Sequence, residues 1–265
     1  MSKPPQPPAI PSNATQMASP AYRLAALDED FLLGDSMRGL RFQLEYAKAE
    51  QFLRAWGVRS TLVVFGSARS AEAGTPEQQR WYNLARAFAK LASEEGGALL
   101  DKSPVRDNVI CTGGGPGIME AANRGAQDAG APSIGLNIRL PLEQEPNAYS
   151  TPELTFRFHY FAMRKMHFAM RANGLIVFPG GFGTMDELFE VLTLRQTGKS
   201  PPMPVVLVDK AYWTEVINFE AFVRHGMAKD DDLALFSFAE TPEEIWRTLV
   251  LGGVMNPHLQ ERKTV

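Results

Sequence analysis

The sequence is poor in cysteine, in excess positive charge and in long apolar runs. Its 265 residues hold a single cysteine, Cys111, which excludes an internal disulfide and leads us to expect a reducing, cytoplasmic location. The net charge of -3 provides no basic excess for binding nucleic acid. No apolar run approaches the roughly 20 residues that span a bilayer, and the N-terminus lacks the apolar segment of a secretory signal. We therefore expect neither nucleic acid nor a membrane as a partner.

Several motifs for metals and cofactors are also missing. The four histidines show no metal-ligand spacing, so we predict no metal site. The segment Gly198-Lys199-Ser200 imitates the end of a Walker A loop, but Thr193 stands where the first glycine is needed. Gly113 and Gly115 are followed by Ile118, which breaks the dinucleotide pattern G-x-G-x-x-G. Nothing indicates NAD or another cofactor, and a mononucleotide ligand fits better.

Short apolar runs alternate with helical patterns along most of the chain, as in "TLVVFG", "NVICTGGGPG" and "GLIVFPGG". This alternation predicts an α/β fold with a mostly parallel sheet covered on both faces by helices. Residues 139–158 look irregular, and residues 36–56 predict an N-terminal helix with one apolar face. The predicted parts are a disordered Pro-rich tail (1–20), an N-terminal helical extension (21–57), a nucleotide-binding domain (58–255) and a C-terminal tail (256–265).

Three predicted strands end in loops of small residues, "GSARS", "GGGPG" and "PGGFGT". Ligands of such sheets bind at the carboxyl ends of the strands. Glycines there let the backbone approach a phosphate, and the following helix presents free N–H groups. Each loop alone could equally be a tight strand-to-helix turn. Two glycine-rich loops on one sheet favour a ligand that carries phosphate.

Thr184 and Glu187 allow two interpretations. Thr-x-x-Glu is a capping box, which would place Thr184 at the N-cap of a helix and turn Glu187 back to the backbone. Alternatively, the Thr184 hydroxyl binds a phosphate and the Glu187 carboxylate faces the substrate. We expect Glu187 to be ionised, because a carboxylate in the first helical turn is favoured by the helix dipole.

Arg164 lies early in a predicted helix that leads into the strand "GLIVF". A helix that precedes a parallel strand begins near the carboxyl end of that strand, so Arg164 is expected beside "PGGFGT". A solvated basic face is the alternative. The surrounding aromatic and methionine residues indicate burial instead, and a buried arginine needs an anionic partner.

The pair "MRK" followed by "PGGFGTMDE" closely resembles the LOG (Lonely Guy) family of cytokinin-activating phosphoribohydrolases, whose members are often labelled lysine decarboxylases. The family pattern, an Arg-Lys pair and then P-G-G-x-G-T-x-x-E, falls on Arg164-Lys165 and on Pro179 to Glu187. The segments "VVFGSA" and "TGGGPGIMEAANRGA" are also similar to the family. The long N-terminal region and "LPLEQEPN" resemble its larger bacterial branch, for which AMP is a candidate substrate beside the cytokinin nucleotides.

The resemblance implies a Rossmann-like three-layer fold, a homodimer with the site near the interface, and a hydrolase. Its reaction would cleave the N-glycosidic bond of a nucleoside 5'-monophosphate into free base and ribose 5-phosphate. The implied catalytic pair is Arg164 and Glu187. A non-catalytic nucleotide-binding or carrier protein on the same fold is the alternative. The implied substrate- and phosphate-binding residues are Ser67, Gly114, Gly115, Glu143, Lys165, Gly180, Gly181, Phe182, Gly183 and Thr184.

Overall fold

The computed structural model describes residues 12–99, 104–140 and 145–254. Within them the strands are β1 Thr61–Phe65, β2 Val109–Thr112, β3 Ser133–Ile138, β4 Thr155–Phe158, β5 Ala172–Val177, β6 Val205–Val208 and β7 Ser237–Ala239. The α-helices are α1 Ala14–Ala18, α2 Glu29–Leu33, α3 Arg38–Ala55, α4 Pro76–Glu95, α5 Ile118–Asp128, α6 Phe161–Met170, α7 Phe182–Gln196, α8 Lys210–Val216, α9 Phe219–Arg224 and α10 Pro242–Leu251.

The strands form one seven-stranded sheet in the order β4-β3-β2-β1-β5-β6-β7. Every neighbouring pair is parallel. The predicted α/β fold, Rossmann-like with a parallel sheet between helices, is confirmed. The order of the strands reverses direction at β1, because β2 to β4 extend to one side and β5 to β7 to the other. A crevice for ligands forms where this reversal occurs.

Both faces of the sheet are buried, because successive side chains of a strand point to opposite faces. In β1, Leu62 and Val64 belong to one core cluster, and Val63 and Phe65 belong to the other. The first cluster includes Tyr82, Phe88, Ile118, Ile245 and Trp246 from α4, α5 and α10. The second includes Leu53, Phe168, Leu188 and Trp213 from α3, α6, α7 and α8. This three-layer burial explains why the strands are continuous apolar runs.

The chain divides after Leu44 into two compact units, so this division lies inside α3, and the predicted domain bounds stay a prediction. Residues 1–11 of the predicted disordered tail and the predicted C-terminal tail 256–265 lie outside the described residues. The described remainder of the N-terminal tail contains the short helix α1, whose residues are all exposed or half-buried.

One strand was missed in the segment 139–158. Its residues Thr155–Phe158 form β4 at the edge of the sheet, paired with β3. Phe156 and Phe158 point into the core while Arg157 between them is exposed. This alternation over four residues is the pattern of an edge strand, but the surrounding prolines made the whole segment look irregular.

No helix among the described residues is long and apolar enough to cross a membrane.

Candidate active site

The candidate site lies at the reversal of strand order, between the carboxyl ends of β1 and β5. Residues 179–183, called here the Pro179 loop, lead from the end of β5 into the first turn of α7. The backbone N–H of Ser67, just after β1, donates to the Pro179 carbonyl at 3.0 Å and joins the two strand ends. A cavity of about 730 Å³ opens there, lined by Phe65 to Arg69 on one side and by Gly180 to Met185 with Glu187 on the other. Its position follows from the topology of the sheet.

The Pro179 loop presents open backbone to this cavity. Gly181 is the N-cap of α7, and the N–H group of Met185 is the first to bond back to it, at 3.0 Å. The N–H groups of the residues before Met185 therefore have no partner within the helix. A Cβ on Gly181 or on Gly183 would meet nothing within 4 Å. The loop thus combines free donors, the positive end of a helix dipole and room for an anion.

The capping-box interpretation of Thr184 and Glu187 is wrong. The helix begins at Phe182, and its N-cap is Gly181, which has no side chain that could make a capping hydrogen bond. Thr184 is the third helical residue, and its side chain is buried against Gly180, where an added Cβ would lie 2.1 Å from Thr184 Oγ1. Glycine at 180 therefore leaves space for the threonine side chain. Glu187 lies in the second turn, too far along the helix to cap it.

Arg164 and Glu187 meet at the wall of the cavity, as the direction of α6 predicts. Arg164 Nη1 lies 3.6 Å from Glu187 Oε1, and both side chains are almost fully buried. Arg164 Nε donates to the Leu136 carbonyl of β3 at 2.7 Å, and the guanidinium also lies over the ring of Phe168. These contacts fix the guanidinium on two sides. The ion pair is thus preorganised in a site partly shielded from water.

The protonation of Glu187 differs from the expectation. Burial raises the pKa of Glu187 to about 7, although Arg164 and Lys165 favour the ionised form. The expected stabilisation of the carboxylate by the helix dipole assumed a place in the first turn, which Glu187 does not occupy. Burial likewise lowers the pKa of Arg164, against the effect of Glu187. An arginine still stays charged at neutral pH, so Glu187 is the group that titrates there.

Lys165 is not among the residues that line the cavity, so its assignment to substrate binding stays a prediction. Its ammonium group lies 2.8 Å from Asp186 and 2.9 Å from Glu190, both on α7. Burial alone would lower the pKa of Lys165, but hydrogen bonds to these two carboxylates raise it. Adjacent helical residues point in different directions, so Arg164 enters the cavity while Lys165 ties α6 to α7.

The second glycine-rich loop, residues 113–117 and called here the Gly113 loop, is packed rather than open. A Cβ on Gly114 would lie 2.4 Å from Asn137 Nδ2, and Asn147 bonds to the carbonyls of Gly114 and Gly115. Neither glycine lines the cavity among the described residues, so their assignment to phosphate binding stays a prediction. The loop follows β2, one strand away from the reversal. Its Gly113 instead makes room for Arg164, whose Nη2 would lie 2.5 Å from an added Cβ.

The remaining predicted site residues have different outcomes. Ser67, Gly180, Gly181, Phe182, Gly183 and Thr184 all line the cavity. Phe182 is 96% exposed at its rim. Glu143 lies outside the described residues. No group of three or more His, Cys, Asp or Glu side chains that could hold a metal occurs in the described part of the chain.

Two polar residues of the cavity wall were missed in the sequence. Arg69 is exposed and follows Ser67, and Tyr212 comes from α8. The Tyr212 hydroxyl donates to the Gly180 carbonyl at 2.7 Å. Arg69 could have been found, since it stands inside "GSARS", one of the three predicted ligand loops. Nothing in the sequence marks Tyr212, because its place depends on packing between α8 and the Pro179 loop.

Comparisons with known proteins point to one family. The family model described as "possible lysine decarboxylase" matches residues 119–249. The rice protein "Probable cytokinin riboside 5'-monophosphate phosphoribohydrolase LOGL2" (Oryza sativa subsp. japonica) is 26% identical over 150 residues, covering 55% of this chain and 61% of that protein. "Cytokinin riboside 5'-monophosphate phosphoribohydrolase LOG4" of Arabidopsis thaliana is 26% identical over 144 residues, covering 54% and 66%. The resemblance to the LOG family is confirmed.

The similarity to the LOG proteins covers only part of each chain. The chain spans about three fifths of the length of the rice relative, 61%. The X-ray structure of the structural-genomics target TM1055 covers 72% of this chain and 99% of its own, at 19% identity and a TM-score of 0.51. That likeness concerns the fold. The segment matched by the family model includes Arg164, the Pro179 loop and Glu187, but it begins after β1 and the Gly113 loop.

Proposed function

We propose that this LOG-like chain hydrolyses the N-glycosidic bond of a nucleoside 5'-monophosphate, AMP or a cytokinin riboside 5'-monophosphate, to free base and ribose 5-phosphate. The observation that carries the proposal is the buried Arg164–Glu187 pair at the wall of a cavity that also contains an open helix N-terminus. The plant relatives named as phosphoribohydrolases support the same reaction.

The phosphate end of the substrate fits the Pro179 loop. The free N–H groups at the start of α7 and the helix dipole favour a dianion there. Gly181 and Gly183 have open space where a Cβ would stand, which leaves room for the phosphate oxygens. Arg69 at the opposite rim adds a positive charge. Anchoring the phosphate orients the ribose, so that binding energy remote from the reacting bond contributes to catalysis.

The sugar would then lie toward Glu187 and Arg164. Water adds to C1' as the C1'–N bond breaks, its hydroxyl remains on the sugar, and a proton ends on the departing base. Positive charge develops on the ribosyl ring, and an ionised, fixed carboxylate stabilises it. Arg164 favours the ionised form of Glu187 by its charge. We propose that Glu187 acts as this carboxylate and that Arg164 holds it and the substrate in place.

The lysine decarboxylase name attached to the family model receives no support from the site. That reaction uses a lysine that forms a Schiff base with pyridoxal phosphate. No lysine lines the cavity among the described residues, and Lys165 is paired with Asp186 and Glu190.

We also propose a homodimer. Apolar side chains remain exposed near the cavity, with Phe161 51% exposed on α6 and Phe182 96% exposed on α7. A second copy of the chain would cover them and bring its surface close to the site. Light scattering at micromolar concentration should give the mass of a dimer, and Phe182→Asp should shift it toward the monomer. A wild-type chain that is monomeric at that concentration would remove this part of the proposal.

The reaction is tested by incubating purified protein with AMP, other nucleoside monophosphates and prenylated AMP, followed by chromatography of the products. We expect free base and ribose 5-phosphate from at least one of them. Arg164→Ala should lower turnover at least about 100-fold, the scale for losing a preorganised electrostatic group. Lys165→Met is the matched control, because it removes a neighbouring cation that faces away from the cavity. If the wild type released no base from any of these nucleotides, even at a higher enzyme concentration, the proposal would be refuted.

A further inference from the structure

Resting on the proposed function, we infer that Tyr212 is a positioning residue that fixes the peptide plane between Gly180 and Gly181, so that the Gly181 N–H faces the phosphate. The hydroxyl of Tyr212 donates to the Gly180 carbonyl at 2.7 Å. This peptide is trans, as are all peptides in the described chain. In a trans peptide the carbonyl and the next N–H point in opposite directions. The bond from Tyr212 therefore turns the Gly181 N–H away from the phenol.

The Pro179 loop needs such a brace from outside. Glycine has no side chain to limit its backbone, so Gly180 and Gly181 lose more conformational freedom on ordering than other residues would. The side chain of Thr184 occupies one side of Gly180, and Gly181 is open on the side of the cavity. A hydrogen bond to the carbonyl between them restrains the one peptide that neither neighbour fixes. The donor geometry for an anion is then set before the ligand arrives.

Tyr212 is itself held by a network of hydrogen bonds around the buried Asp209. Asp209 caps α8 by accepting from the Tyr212 N–H at 3.1 Å, and it also accepts from Trp81 Nε1 at 2.8 Å and from Arg80. Its backbone is left-handed, with φ of 71°, which aspartate tolerates better than most residues. The Trp81 ring packs edge-on against Tyr212. The phenol thus stands on a fixed base at the first turn of α8.

The protonation states agree with this arrangement. Burial raises the pKa of Tyr212, so the phenol keeps the proton that it donates. For Asp209, burial by itself would raise the pKa, but the hydrogen bonds from Trp81 and Tyr212 and the charge of Arg80 lower it overall. The acceptor at the base of the network is therefore ionised, and the donor at its tip is neutral.

The test is Tyr212→Phe, which keeps the ring packing and removes only the hydroxyl. Its matched control is Tyr82→Phe, because the Tyr82 hydroxyl also donates one hydrogen bond, to Glu120 at 2.8 Å, and accepts another from Arg124 at 3.4 Å, away from the cavity. Calorimetric titration with ribose 5-phosphate and with AMP gives the affinities. A second measurement follows the Gly181 amide resonance in glycine-labelled protein without ligand. Thermal melting reports whether each variant folds.

We expect Tyr212→Phe to weaken ribose 5-phosphate and AMP by the same factor, about fivefold, as for loss of one neutral hydrogen bond. Its Gly181 resonance should shift, and Tyr82→Phe should change neither quantity. Weaker AMP binding with unchanged ribose 5-phosphate binding would overturn the inference, since Tyr212 would then contact the base. Unchanged affinities, or a wild type that does not bind ribose 5-phosphate, would also overturn it. A wild type that binds ribose 5-phosphate but never releases base refutes the proposed reaction alone, because the affinities still judge Tyr212.

Discussion

The two glycine-rich loops look alike in sequence and serve opposite purposes in the structure. In the Gly113 loop, added Cβ atoms would collide with Arg164, Asn137 and the backbone at Ser67. In the Pro179 loop, Gly181 and Gly183 have empty space beside them. The first loop uses glycine so that protein can pack closely, and the second leaves open space at the cavity, where we propose that the phosphate binds. The reason is topological, because only the second loop lies at the reversal of strand order.

This contrast also assigns a role to the packed loop. By making room for the Arg164 guanidinium, Gly113 allows the arginine to reach both the Leu136 carbonyl and Glu187. The packed loop therefore supports the proposed catalytic pair from behind, while the open loop lines the cavity. A glycine-rich loop after a parallel strand is thus insufficient evidence for phosphate binding. The position of the loop relative to the reversal of strand order has to be considered as well.

The largest expected effect is on stability, from Gly117→Ala in the packed loop. Gly117 has φ of 71°, and its Cβ would lie 2.4 Å from the Ser67 carbonyl oxygen. Strain and collision together should cost about 3 kcal/mol or more of the free energy of unfolding. Gly181→Ala is the control, because its φ is -91° and its side is open. Urea denaturation should show a large loss for the first and a change below about 1 kcal/mol for the second. Equal losses would remove the contrast between the loops.

A second effect concerns the charge buried beside the open loop. The pKa of Glu187 is about 7 in the folded chain against 4.5 as its ordinary value, so the folded state binds more protons between these pH values. The stability that this protonation gives is fully present below pH 4.5 and is lost as the pH rises through 7. Glu187→Gln lacks this loss. Relative to the wild type, its free energy of unfolding should rise by about 3 kcal/mol between pH 4.5 and pH 8. A difference that is constant with pH would show that Glu187 titrates normally.

A smaller effect is expected on ligand binding from Gly183→Ala in the open loop. The methyl group would enter the space that phosphate oxygens need, so the affinity for ribose 5-phosphate should fall about tenfold, equivalent to about 1.4 kcal/mol. Thermal stability should hardly change, since alanine suits the second position of a helix better than glycine. Gly130→Ala serves as a reference for a glycine with open space far from the cavity, although its positive φ makes it costly in stability. Unchanged ribose 5-phosphate affinity in Gly183→Ala would place the phosphate elsewhere.

The smallest effect is expected from Lys165→Met. Lys165 pairs with Asp186 and Glu190 outside the cavity, and partly exposed ion pairs contribute about 1 kcal/mol or less. Turnover should stay within about threefold of the wild type. A loss of turnover comparable to that of Arg164→Ala would show that Lys165 takes part in substrate binding.

The sequence was sufficient to predict the order of the strands other than β4 and of the main helices, and to predict that Arg164 lies beside the Pro179 loop. Both follow from local periodicity and from the rule that a helix before a parallel strand starts at the ligand edge. It was insufficient for the start of α7, since Thr184 and Glu187 satisfy the spacing of a capping box and only the backbone shows that Gly181 is the cap. That error carried over to the charge of Glu187.

Other features depend on contacts between distant segments. The packing of Gly114 on Asn137 and the bond from Tyr212 to Gly180 join residues 23 and 32 positions apart, and no local pattern announces them. The edge strand β4 was missed because four residues between prolines give too short a pattern. Periodicity thus located the site, while tertiary packing decided which residues face it.

We propose that ionised Glu187 stabilises the cationic ribosyl transition state, and the turnover of AMP by Glu187→Gln is the decisive measurement. Glutamine keeps the size and the hydrogen-bonding capacity but removes the charge. With AMP affinity within about threefold of the wild type and the fold intact, turnover should fall by about two orders of magnitude or more. Turnover within a few-fold of the wild type at equal AMP affinity would contradict the claim and leave a nucleotide-binding protein whose carboxylate has no catalytic role.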